Sequence, residues 1–462
     1  MADSKKSSDA KVSMENVISL CKRRGFVYPG SEIYGGLANT WDYGPYGVQL
    51  KKNILDHWWK TFVENRDDIL GLDAAILMNP RVWEASGHVD NFSDPMMDCK
   101  KCKERFRGDK LIEEATGEVA DGKTFDEIYR LVMDNEIACP ACKACDWTEP
   151  RSFNLMFKTY QGVVEDTAAQ VYLRPETAQG IFANFKNILD STRVKLPFAV
   201  AQYGKAFRNE ITPGNFTFRT REFEQLEIEH FMREEDVPAV FDKWVQDTKD
   251  WFAAIGVKPD KMRVREHDAD ELSHYSTKTV DVEYEFPFGW GELQGIAHRG
   301  TYDLDQHIKH SGQKLQYRDP YTNEVFVPHV VEPSWGLTRT LLVVLLDAYE
   351  EQKLEGGEVR TVMHFAPAVA PVQVAVMPLH KKLNDDARKL YADLKPYFRA
   401  EYDSGGAIGK LYRRQDEIGT PFCVTFDFDS LEDGAVTVRD RDSMTQERVK
   451  IEDLKGWLFD RF

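Results

Sequence analysis

The chain has 462 residues, more than one hydrophobic core usually serves, so two or three domains are expected. Its hydrophobic fraction of 42% and charged fraction of 30% are ordinary for a globular protein. The formal net charge of −17 argues against nonspecific binding to nucleic acid, although local basic patches on an acidic body can still bind RNA.

No membrane-spanning or secreted character is expected. The first ten residues, MADSKKSSDA, are polar and lack the apolar stretch of a secretory signal. The longest apolar runs, such as Leu341 to Leu346, are far too short to span a bilayer. The seven cysteines are an odd number, and four of them form CxxC pairs, which suits a reducing cytoplasm better than a disulfide scaffold. We therefore expect a cytoplasmic protein.

In chain order, the first predicted elements are two helices and a short strand. One helix is expected over 12–23. A second is expected over about 46–65, where large apolar residues recur every four positions from Leu50 to Phe62. An apolar strand at Ala74 to Met78 follows. Next comes an insertion of about 98–150, with a helix expected near 125–133.

The middle of the chain predicts an antiparallel hairpin. After a helix that follows Arg174-Pro175-Glu176, one strand is expected at 198–210 and another at 216–231, joined by the loop Thr212-Pro213-Gly214-Asn215. The remaining predicted elements are a helix at 237–254, a strand at 280–286, an apolar helix opened by 332–336 and ending near 351, a linker at 364–371, and a tail with a strand at 372–377, a helix at 383–394 and a strand at 421–427. The alternation in the tail suggests a small α/β domain.

One face of the predicted hairpin is charged. Strand parity places on it the side chains of Arg219, Arg221, Phe223, Gln225 and Glu227, and the partner strand adds Arg208 and Glu210. Such a face is not an ordinary core, because unpaired buried charge is costly. Two interpretations remain open. It is either a solvated face with cross-strand ion pairs, or a ligand floor with arginines for phosphates, an aromatic ring for a base and carboxylates for an amine or a metal.

The insertion holds a candidate metal site. Cys99 and Cys102 form one CxxC pair, and Cys139 and Cys142 form another, which is the ligand spacing of a structural four-thiolate zinc site. Cys145 is a spare candidate. The alternative is a set of unpaired thiols, because the interval between the two pairs is long.

Three patterns resemble the motifs of class II aminoacyl-tRNA synthetases. Phe207-Arg208-Asn209-Glu210, a loop and Arg219-Thr220-Arg221-Glu222-Phe223 resemble motif 2. Gly336-Leu337-Thr338-Arg339, placed before an apolar helix, resembles motif 3. The predicted helix ending near Asn65 and the strand ending at Pro80 resemble motif 1, which builds the dimer interface in that class. The three occur in the order and at the spacing of the family.

Further strings resemble the homodimeric glycyl enzymes of this class. They are Tyr43-Gly44-Pro45, Ser86-Gly87-His88, 153–157, 174–179 and 332–334, with 409–421 and 438–442 resembling the anticodon-binding domain. The resemblance implies an α+β class II catalytic domain over 1–365, with an antiparallel sheet flanked by helices and the cysteine-containing insertion. It also implies a C-terminal α/β anticodon-binding domain over 366–462.

The resemblance implies how ATP would bind with Mg²⁺. Arg208 would hold the α-phosphate, while Arg219 and Arg339 would reach the γ-phosphate of a bent ATP. Phe223 would stack on adenine, with Arg339 on the other face. Glu292 would serve Mg²⁺ and phosphate. The expected ATP set, which adds Arg299 at the phosphate tail, is Arg208, Asn209, Glu210, Phe218, Arg219, Thr220, Arg221, Glu222, Phe223, Glu292, Leu293, Arg299, Gly336 and Arg339, with Arg208, Glu210 and Arg339 expected to be catalytic.

Glycine offers only an ammonium, a carboxylate and two hydrogens, so its selection requires charge against the amine and steric refusal of a side chain. Glu176, Glu227 and Glu332 match the family's acidic cluster around the amine. Arg107 matches its substrate-side arginine, with neighbouring Arg105 as the alternative. The expected glycine set also contains Phe223, Gln225, Ser334 and Gly336.

The implied reaction joins glycine to tRNA(Gly) through a glycyl-adenylate, in a homodimer. The threonyl and prolyl enzymes share the tail domain but lack the combination of Arg174-Pro175-Glu176 with Glu332-Pro333-Ser334. A noncatalytic, synthetase-like accessory subunit that binds nucleic acid is the alternative from another class of function. Such a protein would have lost the motif arginines, whereas Arg208, Arg219 and Arg339 are all present.

Overall fold

The structure is a computed structural model that describes residues 12–462 except 119, 121–122, 167, 212, 270, 274 and 355. The N-terminal decapeptide and Thr212 of the predicted hairpin loop lie outside the described residues. Within them the α-helices are α1 (Met14–Arg24), α2 (Pro45–Trp59), α3 (Arg81–Ala85), α4 (His88–Asn91), α5 (Gly108–Thr116), α6 (Phe125–Asp134), α7 (Ala178–Thr192), α8 (Val237–Ala254), α9 (Tyr302–Ser311), α10 (Leu337–Ala348), α11 (Asn384–Leu394), α12 (Ile408–Ile418), α13 (Ser430–Asp433) and α14 (Leu454–Phe459).

The strands fall into two groups, those before the tail and those of the tail. Those before the tail are β1 (Val27–Pro29), β2 (Trp41–Tyr43), β3 (Ile69–Gly71), β4 (Ser93–Asp98), β5 (Arg105–Arg107), β6 (Arg151–Asn154), β7 (Lys158–Tyr160), β8 (Gln170–Tyr172), β9 (Phe198–Phe207), β10 (Glu222–Met232), β11 (Met262–Glu266), β12 (Lys278–Phe286), β13 (Gly289–Gly300), β14 (Tyr317–Arg318), β15 (Val325–Phe326), β16 (His329–Gly336), β17 (Tyr349–Lys353) and β18 (Val359–Met363). Those of the tail are β19 (Val374–Pro378), β20 (Ala400–Tyr402), β21 (Phe422–Phe426), β22 (Ala435–Asp440) and β23 (Gln446–Lys450).

A seven-stranded sheet carries the site, in the order β11-β12-β13-β16-β10-β9-β3. Its neighbouring strands are antiparallel except for β3 and β9, which run parallel. Helices α2, α8 and α10 bury their apolar side chains against this sheet in the main core. Helix α10 is apolar on nearly all sides because it lies between α2 and the sheet. The predicted α+β fold with an antiparallel sheet flanked by helices is confirmed.

The predicted strand at Ala74 to Met78 is wrong. The second helix runs as predicted, with α2 continued by a π-helical turn over Lys60–Glu64. The strand that follows it is β3, and the segment after it makes only an isolated bridge at Leu77. Side chains, rather than a neighbouring strand, form the hydrogen bonds to the backbone here. Ala74 donates its N–H to the Gln202 side chain, and its carbonyl oxygen accepts from the Arg174 guanidinium.

The hairpin is shorter than predicted at its turn. Strands β9 and β10 leave residues 208–221 as a loop, in which Asn215 and Phe216 have φ of 54° and 60°. Side chains therefore alternate between the two faces of the sheet, as predicted, only from Phe223 onward. It does not apply to Arg219 and Arg221, whose positions are set by the loop.

The tail forms a second sheet, in the order β20-β19-β21-β22-β23, with its own buried apolar cluster. Helix α12 had no counterpart among the predicted elements, and it packs against β18 of the preceding part. A buried ion pair joins the two parts, with Arg360 Nε 2.7 Å from an Asp416 carboxylate oxygen. Among the described residues, no helix combines the length and apolarity that a membrane crossing requires.

Candidate active site

A cavity of about 270 Å³ opens on the face of the central sheet formed by β10, β13 and β16. The loop between β9 and β10 and the first turn of α10 complete its walls. Carboxylates and guanidinium groups line it together, namely Glu176, Glu227 and Glu332 with Arg208, Arg219 and Arg339. A cavity lined in this way matches a ligand that carries both an ammonium and phosphates.

Two of the three glutamates come from neighbouring strands and are buried. Glu332 on β16 accepts two hydrogen bonds from Arg299 Nη1, at 3.0 and 2.9 Å. Glu227 on β10 accepts from the backbone N–H of Thr177 at 2.9 Å and from the hydroxyl of Ser334 at 3.1 Å. These contacts fix both carboxylates against the sheet with part of each facing the cavity.

Glu176 reaches the same wall from the turn before α7. Gln179, one turn later, donates Nε2–H to one carboxylate oxygen at 2.9 Å. His88 Nε2 lies 3.3 Å from the other oxygen. Arg299 Nη2 lies 3.8 Å away, so one buried guanidinium serves both Glu176 and Glu332.

The carboxyls differ in pKa because their surroundings differ. Burial raises the pKa of Glu332 to about 8 in spite of Arg299, and nearby Glu227 and Glu176 add to the rise. Burial and then Glu176 also raise the pKa of Glu227. Burial opposes the charge of Glu176, but His88 and Arg299 outweigh it and hold its pKa below the usual range. A cation entering this wall would favour the ionised form of all three.

Arg208 is held between two aromatic rings at the end of β9. Its guanidinium lies 5.3 Å from the ring centroids of both Phe92 and Phe223. Its Nε donates to the carbonyl oxygen of Pro175 at 3.1 Å. Within the described part of the chain its other N–H groups have no hydrogen-bond partner, and the residue lines the cavity, so this arginine has donors available for an anionic ligand.

The other two arginines of the cavity are paired with carboxylates. Arg339 donates from Nη1 to Glu292 at 3.0 Å and from Nε to the carbonyl of Phe218 at 3.1 Å, with its guanidinium 4.5 Å from that ring. Arg219 lies 3.9 Å from a carboxylate oxygen of Glu210. Burial opposes ionisation of Glu292, but Arg339 and the other arginines prevail and lower its pKa.

Two segments of the chain match known families. Residues 157–348 match the family described as tRNA synthetase class II core domain (G, H, P, S and T), and residues 373–461 match the family described as anticodon binding domain. The glycine–tRNA ligase of Geobacillus thermodenitrificans is 57% identical over 455 residues, covering 97% of this chain and 98% of its own length. Those of Lysinibacillus sphaericus (56% over 454 residues, 97% and 98%) and Lachnospira eligens (57% over 457 residues, 97% and 99%) are similar. The chain belongs to the glycine–tRNA ligase family.

Most residues expected at the site of a glycine–tRNA ligase come together in this cavity. Those that line it are Glu176, Arg208, Glu210, Phe218, Arg219, Thr220, Phe223, Gln225, Glu227, Glu292, Glu332, Ser334, Gly336 and Arg339. They include the three residues expected to be catalytic. Their individual roles toward ATP and glycine stay predictions.

Five residues expected to contact ATP do not line the cavity, namely Asn209, Arg221, Glu222, Leu293 and Arg299. Arg221 donates to the carbonyls of Glu210 and Ala38 and so braces the loop. Glu222 alternates to the face opposite Phe223 and pairs with a lysine there. The Leu293 side chain is 1% exposed in the main core, so it presents no surface to a nucleotide.

Arg299 does not occupy the position expected for a phosphate contact. Its side chain is 1% exposed, and its N–H groups are directed to the carboxylates of Asp303 and Glu332. The ring of Tyr275 lies 3.9 Å from its guanidinium carbon. These contacts make Arg299 the counter-ion of the buried carboxylates of Glu332 and Asp303. The sequence did not indicate this burial, because spacing along a strand does not show how deep a side chain lies, and the expected phosphate contact stays a prediction.

Arg107 lies in a neighbouring cavity of about 250 Å³, which shares the wall formed by Phe218. Its guanidinium is held by Asp109, at 2.5 and 3.1 Å, and lies 3.3 Å from Asp94. Burial raises the pKa of Asp94 to about 6, although Arg107 opposes the rise. The alternative, Arg105, is largely exposed. Neither arginine lines the cavity that holds the three glutamates, and the expected substrate contact stays a prediction.

The four paired cysteines meet in the insertion. Cys99 Sγ lies 3.5 Å from Cys142 Sγ, Cys102 Sγ lies 3.7 Å from Cys139 Sγ, and all four sulfurs fall within 4.8 Å of one another. A tetrahedral zinc with Zn–S bonds of about 2.3 Å requires sulfurs about 3.8 Å apart, so the set fits that ion. The exposed Cys145 donates to the carbonyl of residue 136 and stands outside the cluster.

Several residues of the buried polar network were not predicted from the sequence. Asp303 accepts from Arg299 at 2.7 and 2.9 Å and from Gln179 at 2.9 Å, and His307 contacts Gln179 at 2.9 Å. Asp303 and His307 lie one turn apart on the buried face of α9, and that spacing was the available signal. His88 was noted only as part of a family-like string.

Proposed function

We propose that this protein attaches glycine to tRNA(Gly) in two steps, through a glycyl-adenylate made from ATP and glycine. One observation carries the proposal: three buried glutamates and three arginines line the same small cavity. The glutamates suit an ammonium, and the arginines suit phosphates. The names of the relatives, which are all glycine–tRNA ligases, support the same reaction.

The chemistry needs no covalent protein intermediate. A carboxylate oxygen of glycine attacks the α-phosphorus of ATP, the bond to the β-phosphate oxygen breaks, and pyrophosphate leaves with the electron pair. A ribose hydroxyl of the tRNA then attacks the glycyl carbonyl carbon, loses its proton, and AMP leaves. Arg208 stabilises charge on the α-phosphate, while Arg219 and Arg339 exchange their present carboxylate partners for the terminal phosphates.

We propose that Mg²⁺ accompanies ATP at Glu292. The Glu292 side chain is half exposed in the cavity and offers carboxylate oxygens, which this hard cation prefers. The ion would neutralise phosphate charge there. We likewise propose Phe223 as the adenine-stacking ring.

We propose a structural zinc ion at the four-cysteine cluster. The donor set fits because the four sulfurs lie within 4.8 Å of one another, as the ligands of a tetrahedral zinc ion must. The ion would link the two ends of the insertion, since Cys99 and Cys142 are 43 positions apart. Catalysis would proceed without direct contact with it.

We propose that residues 1–365 form the catalytic part, with the insertion at about 98–150, and that 366–462 bind the anticodon.

A homodimer would form along β3, which is the outer strand of the central sheet, beside α2. The exposed ring of Tyr203 packs on Trp59 at this edge and gives the partner an apolar contact. All seven cysteines are outside disulfide bonds, which supports a cytoplasmic location for the protein.

Amino-acid-dependent ATP–pyrophosphate exchange across the twenty amino acids tests the proposal. Glycine alone should support exchange, because selection of glycine requires charge against the ammonium, which the acidic wall supplies, together with steric refusal of a side chain. Equal exchange with alanine or serine would contradict this account of the pocket. Absence of exchange with every amino acid, together with tRNA binding, would favour the accessory-subunit alternative.

A further inference from the structure

His88 is held rigidly at the edge of the candidate active site. It begins α4 after Gly87, whose φ of 83° turns the chain toward the cavity. The imidazole packs between the rings of Trp83 and Phe92, at centroid distances of 5.5 and 5.4 Å, and is 5% exposed. Asn154 donates to the backbone carbonyl of His88 at 3.0 Å and anchors the segment from β6. These contacts support the ring in the orientation that the structure shows.

Both ring nitrogens have partners in that orientation. Nδ1 lies 2.8 Å from the hydroxyl oxygen of Ser86, and Nε2 lies 3.3 Å from a carboxylate oxygen of Glu176. The Ser86 hydroxyl also lies 3.4 Å from the carbonyl oxygen of Trp83, so it donates either to that carbonyl or to Nδ1. Nε2 carries a proton when the hydroxyl donates to Nδ1 and also when the ring is doubly protonated. The charge of the Glu176 carboxylate favours these two arrangements over the tautomer with its only proton on Nδ1, because that tautomer would turn a nitrogen lone pair toward the carboxylate.

We infer that His88 is a positioning residue for the amino group of the substrate: it donates from Nε2 to Glu176 and thereby keeps that carboxylate charged and directed into the cavity. The inference rests on the proposed function, because the ammonium of glycine is the ligand that Glu176 would receive. Neither Ser86 nor His88 lines the cavity, so His88 acts through Glu176 alone.

The charge of Glu176 depends on few donors. Its carboxyl is 6% exposed, and burial alone would favour the protonated form. Gln179 serves one oxygen and His88 the other, while Arg299 stands farther off at 3.8 Å. Loss of the His88 donor leaves one oxygen of a buried carboxyl without its hydrogen bond, a change that typically lowers binding roughly 10- to 100-fold.

A matched pair of amides isolates this hydrogen bond. The amide nitrogen of glutamine is three bonds from Cβ, as is Nε2 of histidine, whereas that of asparagine is two bonds away, as is Nδ1. His88→Gln keeps a donor toward Glu176, and His88→Asn keeps only a group near Ser86. Val89→Ala serves as a control that loosens packing of the same segment without touching the hydrogen bond.

The measurement is glycine-dependent ATP–pyrophosphate exchange with the full-length variants, alongside thermal unfolding. In His88→Asn the KM for glycine should rise roughly 10- to 100-fold, while the KM for ATP stays within about twofold. His88→Gln should return the KM for glycine to within a few-fold of the parent.

Three other results would contradict either the inference or the proposed function. An unchanged KM for glycine in His88→Asn would overturn the inference, as would equal losses in both His88 variants and Val89→Ala with matching drops in melting temperature. If the parent protein itself shows no glycine-dependent exchange, the proposed function fails and not merely the role of His88.

Discussion

Glu229 and Glu332 face each other across neighbouring antiparallel strands, because the register of β10 on β16 aligns Glu227 with Ser334 and His230 with Val331. Both carboxyls are buried, and among the described residues neither oxygen of Glu229 has a hydrogen-bond partner. Two like charges directly opposite each other are unfavourable, so this pair retains a proton. Burial, followed by Glu332, raises the pKa of Glu229 well above its ordinary value.

Glu229→Gln should therefore stabilise the protein at high pH. The raised pKa means that the folded protein keeps a proton which the unfolded chain loses above its ordinary pKa. Stability is thus full at low pH and falls as pH rises, by at most about 1.4 kcal/mol per pH unit. Glutamine has the same shape and no such loss. The melting temperature of the variant should equal that of the parent near pH 4, below the ordinary carboxyl pKa, and exceed it increasingly up to pH 9.

Glu222→Gln is the matched control, because Glu222 is an exposed residue of the same strand paired with Lys205. Its melting temperature should track the parent within about a degree at every pH, since exposed pairs contribute little. A Glu229→Gln protein that melts below the parent at pH 9 would show that the carboxylate form is the one the fold requires.

The KM for glycine should fall as pH rises from 6 toward 8. Burial gives Glu332 a pKa of about 8, so below that pH the carboxyl must lose a proton before it can pair with an ammonium. Displacing one proton changes the apparent affinity by about tenfold per pH unit well below that pKa. Pyrophosphate exchange at saturating ATP measures the glycine KM at each pH. A KM that is flat from pH 6 to 8 would show that glycine binding does not displace a proton from Glu332.

Arg208→Ala should reduce the rate of adenylation by about 100- to 1,000-fold. The rings of Phe92 and Phe223 hold the guanidinium rigidly, so its stabilisation of charge in the transition state is preorganised. Arg221→Ala is an instructive comparison, because this neighbour braces the loop through carbonyls and lies outside the cavity lining. Single-turnover formation of glycyl-adenylate separates the two; near-normal adenylation by Arg208→Ala would reject its assignment to the α-phosphate.

The helices and strands could be predicted wherever the pattern is local. The helix at 237–254 was located to the residue, because its apolar periodicity does not depend on distant parts of the chain. The strand at Ala74 to Met78 failed because distant side chains occupy its backbone groups. Most of the residues named from the family strings line one cavity, but the burial of Arg299 and the contacts of His88 and Asp303 arise from packing between elements far apart in sequence.

Purified protein should contain about one zinc ion per chain, and Cys102→Ser should lose it. Cys102 lies in the cluster of four sulfurs, so its replacement leaves three thiolates and a weaker site. Cys145→Ser should keep the metal, because Cys145 donates to a carbonyl outside the cluster. Elemental analysis after dialysis measures both. Equal metal content in the two variants, or none in the parent, would exclude the four-cysteine site.

The role of the tail in tRNA binding is best tested on its surface. Deletion of 366–462 would confound the test, because Arg360 is 1% exposed and pairs with Asp416 of the tail, so its removal leaves a buried charge unpaired. Arg413 and Arg414 are also unsuitable, since they pair with Glu358 and Asp403.

Lys410→Glu changes the surface of the tail without breaking a buried contact. Lys410 is exposed in the first turn of α12, where it can meet a phosphate of the anticodon arm. The variant should raise the KM for tRNA and reduce the slope of log affinity against log salt by about 0.7 to 0.9. Lys389→Glu, on the exposed side of α11, makes the same change in net charge and serves as the control. Glycine-dependent pyrophosphate exchange should be unchanged in both, because the adenylation cavity lies in the preceding part of the chain. Equal effects of the two variants on tRNA would mean that net charge, rather than a contact at α12, governs binding.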